Sequence, residues 1–293
     1  MAKAEIFYKD IGDYLSREEK LKIVKGDKSI LNSTMKMVKI KSNKHGDWIS
    51  KRNSKFDEFI LLEPLKKFDR NSQSLFSTYA IGVSTNRDTW VYNYAESSLK
   101  TNMKKMIDFY NAQRKLIENE YGKNRKIKLE DCLDMNPKKI SWTVNLKKDL
   151  SNNVVHKINE GTIKIGLYRP FVKMNLFFDV SFIERPGIWA QLIPTNKDNI
   201  AICITGIGSN KEFSSLITNL IPCLDAVEKG QCFPLYWYEK KNKIQGGLFE
   251  KTKDEYIRQD AISDFILDQA KTRYGPKVIK EDIFGGDAES MTR

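Results

Sequence analysis

Cysteine and histidine are scarce, with four cysteines (Cys132, Cys203, Cys223, Cys232) and two histidines (His45, His156) in 293 residues. No cysteine pair has the close spacing of a zinc ligand set, and the histidines lie far apart, so no metal site is expected. The same scarcity excludes a disulfide framework and sets the expectation of a reduced, cytoplasmic setting. Also missing is any apolar run approaching the ~20 residues that span a bilayer, so no membrane partner is expected. The opening MAKAEIFYKDIGDY carries charge where a signal peptide needs an apolar stretch.

Enzyme signatures are missing too. There is no Gly-rich loop ending in Gly-Lys-Ser/Thr. Gly206-Ile207-Gly208 is too short to hold a dinucleotide or S-adenosylmethionine, so no cofactor is expected. No Asn/Asp-Pro-Pro-Tyr/Phe run is present; Asn136-Pro137-Lys138 is not one. Neither histidine has a cysteine or serine close by that would make a nucleophile–base pair. Glu239 and Lys241 have the Glu-x-Lys end of a nuclease motif without its upstream Pro-Asp partner. Binding rather than catalysis is the expectation.

What the chain has in surplus is positive charge: 50 Lys and Arg against 38 Asp and Glu, a net +12. Such a balance favours a polyanionic partner, although lysine used for solubility gives the same count. Hydrophobic content of 40% and 11% aromatics suffice for a sizeable core.

Periodicity predicts a mixed α+β fold with two long amphipathic helices. Residues 5–9 read as a strand, and Ser16 with Glu19 has capping-box spacing before a brief helix and a Gly26-Asp27-Lys28 turn. Residues 34–41 alternate apolar and basic, as a half-exposed strand does. The clearest helix covers 96–120, with Leu99, Met103, Met106, Tyr110 and Ile117 on one stripe. Lys100, Lys104, Lys105, Arg114 and Lys115 line the rest of it, as a solvated face or a phosphate-binding one. After a basic linker, GKNRKIK, strands are predicted in ISWTVNLKKDL, TIKIGLYRPFVKMNLFFDV, NIAICITGIGS and CFPLYWY. A last helix is predicted over 255–274, with Ile257, Ala261, Phe265 and Ile266 inward.

Three polar–aromatic clusters suit nucleic acid, because Arg and Asn each engage two atoms of a base edge while Lys suits phosphate. The first is Asn43-Lys44-His45-Gly46-Asp47-Trp48 with Arg52; it is either a ligand loop or an ordinary loop with Trp48 in the core. The second is GVSTNRDTWVYN, residues 82–93. As a strand it puts Trp90 and Tyr92 inward and Arg87 outward, after Asn86 in a turn. The third is Tyr168 to Lys173, with Arg185 further on; Arg169 either pairs with Glu184 or meets a phosphate. The candidate DNA-binding residues are Lys44, His45, Trp48, Arg52, Asn86, Arg87, Lys104, Arg169, Lys173 and Arg185.

These blocks carry a resemblance. GVSTNRDTWVYN with NMKKMIDFYN, NKHGDW, LYRPFVKMNLFFD, SLITNLIPCLD and GQCFPLYWY resemble the C-terminal target-recognition (specificity) domain of type ISP restriction-modification enzymes. IFYKDIGDYLSREEKL resembles the segment leaving that family's methyltransferase module. The division implied is 1–28 as that segment, 29–284 as the target-recognition domain and 285–293 as a polar tail. The resemblance implies a reader of double-stranded DNA that is non-catalytic alone. Its partners would be an adenine-N6 methyltransferase and helicase–nuclease modules, in cis or in trans. After KEDIF the family continues with an aromatic helical segment, whereas this chain continues GGDAESMTR. That departure fits a shortened reading frame or a separately encoded specificity part. The alternative function is a remnant or interaction part that docks a methyltransferase.

Overall fold

The computed structural model describes residues 4–29, 36–49, 52–120, 129–240 and 256–284. Two compact units divide the chain, Met1–Phe59 and Ile60–Arg293.

In the first unit, β1 (Ile6–Tyr8) pairs antiparallel with β2 (Val38–Ile40). Between them runs α1 (Arg17–Asp27), opened by the expected capping box. The Glu19 amide donates to Ser16 Oγ at 3.3 Å, and the Ser16 amide donates to Glu19 Oε2 at 2.7 Å. The helix continues through Gly26 and Asp27, so the predicted turn closes later, at Lys28 with φ +56°. Lys9 Nζ holds Asp27 at 2.6 Å, which ties this end to β1. The strand predicted over 34–41 is three residues long, and 30–35 lie outside the described residues. No described residue of 4–59 is buried.

In the second unit the elements run β3 (Ala80–Ile81), α2 (Asp88–Val91), β4 (Tyr92–Asn93), α3 (Glu96–Glu120) and α4 (Val144–Ser151). Then come β5 (Ile163–Arg169), β6 (Val172–Phe177), α5 (Trp189–Leu192), β7 (Ala201–Ile204), β8 (Ser215–Thr218) and β9 (Ile221–Pro222). β10 (Gln231–Pro234), β11 (Tyr236–Lys240), β12 (Tyr256–Asp260), α6 (Asp264–Tyr274) and α7 (Lys280–Phe284) complete it. One sheet is ordered β3-β10-β7-β8 and the other β4-β6-β5-β9, while β11 and β12 form a hairpin. β5 and β6 are antiparallel, whereas β9 joins β5 in parallel.

α3 organises the core. Its predicted stripe is buried throughout, together with Ile107. Each such side chain contributes roughly 1.5–3 kcal/mol on burial. Trp189 lies fully buried and donates its indole N–H to the Ile81 carbonyl at 2.8 Å, locking α5 to β3.

Three sequence-based expectations are corrected. Residues 82–93 do not form one strand: Asp88–Val91 is a helical turn, with Val91 and Tyr92 buried and Trp90 half-buried. ISWTVNLKKDL is helical from Val144, because Thr143 caps it by accepting from the Leu146 amide at 3.4 Å, and Leu146 and Leu150, four apart, go inward. The helix predicted over 255–274 starts only at Asp264. Ser263 caps it, accepting from the Ile266 amide at 3.2 Å, and the preceding residues pair with β11. Ile257 is consequently on an exposed strand and not inward. The linker GKNRKIK and the tail 285–293 lie outside the described residues. Among the described residues no helix is long and apolar enough to cross a membrane.

Candidate nucleic-acid interface

The 82–93 stretch is built into the second sheet's edge. Val83 donates to the Pro222 carbonyl at 2.8 Å and accepts from Leu224 at 2.8 Å, while the Cys223 amide reaches back to Leu167 at 2.8 Å. Ser84 and Arg185 exchange both backbone bonds, at 3.3 and 2.9 Å. Gly82 is required by this crowding, since a Cβ there would sit 2.5 Å from the Cys223 carbonyl oxygen. The segments around 84–88, 167–169, 185 and 222–225 therefore end together.

At that end the chain lifts into a short loop. Asn86 takes φ +53°, a left-handed conformation that Asn tolerates better than most residues. Its side-chain oxygen accepts from Ser84 Oγ at 3.2 Å and its carbonyl from Ser141 Oγ at 3.2 Å. The Thr85 hydroxyl bonds Asp88 and accepts the Arg87 amide at 3.1 Å, an internal brace for the turn. A cavity of about 200 Å³ opens between this loop and Cys223–Asp225.

The expectation that Arg87 points outward is corrected: it is only 3% exposed. Its Nη2 donates to Thr143 Oγ1 at 2.5 Å, while Nε and Nη1 are buried without partners. Burial pulls its pKa down to about 10, against the opposing charge of Glu184. Arg87 thus ties the loop to the cap of α4, and Asn145 Nδ2 extends that tie to the Glu184 carbonyl at 3.2 Å.

Arg169 does not pair with Glu184. Its Nη1 donates to the Tyr168 carbonyl at 2.7 Å and to Cys223 Sγ at 3.2 Å, and the nearest carboxylate is Asp88 at 4.0 Å. The guanidinium lies 4.1 Å over the Tyr168 ring. Burial pushes the Cys223 thiol pKa up, which keeps it a neutral acceptor here. Arg185 is exposed and has no ion-pair partner among the described residues, and Lys173 is the same on β6. Asn86, Arg87, Arg169 and Arg185 are thus brought together, with Lys173 close by on the β5–β6 hairpin.

Lys104 lies elsewhere in this unit, along α3. It borders a groove of about 430 Å³ shared with Arg114, Lys115, His156 and Lys157. His156 is a structural residue there: Nε2 is 3.1 Å from Asp149, and the ring packs on Tyr110 and Phe182.

In the first unit, Asn43–Trp48 is a tight loop with Gly46 at φ +82°. Trp48 is 63% exposed, so it is not a core anchor. Lys44 and His45 both reach Asp57, His45 at 2.9 Å, and Arg52 grips Asp47 with Nη2 at 2.9 Å. Hydrogen bonds from Arg52 and then Asn43 lower the Asp47 pKa to about 2. Lys44, His45 and Arg52 already have carboxylate partners.

Sequence reasoning passed over Ser84, next to the loop, and Ser141, Thr143 and Asn145, which hold it from a distance in sequence, and the groove cation Lys157. Phe171 falls in the third cluster without being singled out as a candidate; its position after proline in a two-residue turn was the available signal. Among the described residues no group of His, Cys, Asp and Glu is placed to hold a metal. Lys241 of the nuclease-like pair lies outside the described residues.

The sequence profile described as the Type ISP C-terminal specificity domain matches residues 74–285. The chain belongs to that family. Its fold is similar to the ATP-dependent Type ISP restriction-modification enzyme LlaBIII bound to DNA, with 29% identity and a TM-score of 0.70, covering 97% of this chain and 17% of that one. A nuclease-deletion mutant of the Type ISP enzyme LlaGI in complex with a DNA substrate mimic is similar at 28% identity and TM-score 0.66, covering 89% of this chain and 23% of that one. The DrdV–DNA complex is similar at 25% identity and TM-score 0.71, covering 96% of this chain and 26% of that one. The similarity spans 17–26% of the length of these three chains. No curated protein matches it.

Proposed function

We propose that this chain reads a specific sequence in double-stranded DNA and is non-catalytic alone. It selects the site at which an adenine-N6 methyltransferase and a helicase–nuclease, in cis or in trans, act. The observation that carries this is the family match together with one loop end where Asn86 borders a small cavity, with Arg169 4.0 Å from Asp88 and Arg185 paired through its backbone to Ser84. Asn and Arg are the residues that engage base edges with two bonds. Arg87 acts here by positioning the loop, and Lys173 and Lys104 hold phosphates. The 44–52 loop, with Lys44, His45, Trp48 and Arg52, supplies further backbone contacts by exchanging carboxylate partners for phosphate.

Selection from a random duplex pool at low and moderate salt tests this. Enrichment of a motif of several base pairs, with log affinity falling linearly in log salt, is the expected outcome. Retention of no duplex at low salt overturns it.

A second role, docking of a methyltransferase, is favoured by the first unit. With no described residue buried, α1 shows Leu21 at 48% and Val24 at 59% exposure, as an interface helix does. Deleting residues 5–25 should abolish co-purification with a methyltransferase and leave DNA affinity unchanged. Loss of both together would refute a separate docking handle.

A further inference from the structure

We propose that Phe171 is an aromatic wedge that enters the base stack of duplex DNA, a role that rests on the DNA-reading function above. β5 and β6 are joined by only Pro170 and Phe171, with Arg169 paired to Val172 across the turn. Proline fixes φ near −65° at the first central position, which excludes the mirror-image turns that need positive φ there. Phe171 takes φ +62° at the second. That is the type II pattern, whose second central place favours Gly or Asn because a Cβ is crowded there. A bulky aromatic at positive φ is an unfavourable choice for the backbone. A type II turn also splays a hairpin, and the register shift between Leu167 and Arg169 accommodates it with a bulge.

The fold gains no packing in return, because Phe171 is 95% exposed. Its surroundings identify what it meets. Arg169 and Lys173 flank it, and two Cα steps of about 3.8 Å separate it from Arg169, which borders the Asn86 loop. An exposed apolar ring with a cation two residues to either side in the chain matches a target with an anionic rim and flat apolar interior: phosphates outside, base faces within. Proteins that unstack DNA use such wedges. Proline behind the ring stiffens the hairpin against the push.

The test uses the 293-residue chain, a random duplex pool and permanganate, which oxidises unstacked thymines faster than stacked ones. Wild type should give a hyper-reactive step in the retained duplexes, and Phe171→Trp should keep it. Phe171→Gly should lose it and bind about fivefold to a hundredfold more weakly, the range expected for one stacked base on an aromatic ring. Its Tm should equal or exceed wild type, since glycine suits the turn. Phe171→Gly with the reactive step at wild-type strength overturns the wedge and leaves DNA reading intact. Loss of the step with a lowered Tm in both Phe171→Gly and Phe171→Asn also overturns it, because the turn itself has then failed. If wild type retains no duplex, DNA reading falls and the wedge with it.

Discussion

Arg87 invites a comparison of two truncations. Its pKa falls from 12.5 to about 10. That gap corresponds to about 3 kcal/mol of preference against the charged guanidinium at this site. That figure already includes the attraction to Glu184, and against it stands one bond from a charged donor to Thr143, worth about 1.5–3 kcal/mol. The two sides nearly cancel. Arg87→Met keeps the aliphatic stem, removes the charge and leaves Thr143 free to keep capping α4. It should change unfolding free energy by less than about 1 kcal/mol, since a buried ion's desolvation offsets its partners. Arg87→Ala empties the space as well and should cost about 2–4 kcal/mol, by analogy with other buried large-to-small changes.

Urea unfolding of both variants gives the numbers, provided the slopes agree with wild type. The same proteins go through duplex selection. Arg87→Met should retain the wild-type motif, because the loop is held by Ser84, Ser141 and the Thr85–Asp88 brace as well. Two results refute this. If Arg87→Met is as unstable as Arg87→Ala, the charge itself holds the loop. If it is stable but loses the motif, the guanidinium leaves its buried seat and touches DNA.

In the Asn43–Trp48 loop, Asp47 should titrate near pH 2 by NMR, not near 3.8, and Arg52→Ala should move it back toward 3.8. Because the folded value is the lower one, its contribution is fully present above pH 3.8 and is lost as pH falls toward 2. An unshifted wild-type midpoint would show that the Arg52–Asp47 grip does not persist in solution. In the groove beside α3, Lys104→Ala with Lys157→Ala should lower the salt dependence of duplex binding by about 0.9 in log–log slope for each phosphate no longer neutralised. The selected motif should not change. A changed motif would mean that the groove reads bases, and an unchanged slope would remove it from the interface.

The sequence made legible those features that depend on neighbours in the chain. The α3 stripe follows from 3.6-residue spacing and the α1 capping box from Ser16 and Glu19, and both stand as read. The β5–β6 hairpin was readable from β-branched runs around Pro170. Less legible was any element whose start depends on one capping hydroxyl. Thr143 and Ser263 each turn an apparently continuous pattern into a helix beginning one residue later, so 144–150 and 256–260 changed type.

The reading loop shows the deeper limit. Alternation in Arg87-Asp88-Thr89-Trp90-Val91-Tyr92 argued for a strand with Arg87 outside. The groups that decide otherwise, Thr143 on Arg87 and Ser141 on Asn86, lie 56 and 55 residues away. Local periodicity carries no record of a bond closed over such a distance. What it does record is an Asn-Arg pair next to a crowded Gly82, and that pair sits at the end of the sheet where the candidate cations meet. The candidate residues were therefore readable as polar–aromatic clusters, and the direction in which Arg87 points was not. If the proposed DNA reading holds, a buried arginine beside an exposed asparagine divides that work: one side chain sets the height and angle of the loop, and its neighbour is free to be exchanged. On this division, substitutions at Asn86 should alter the selected base, and truncation at Arg87, as in Arg87→Ala, should weaken every selection alike.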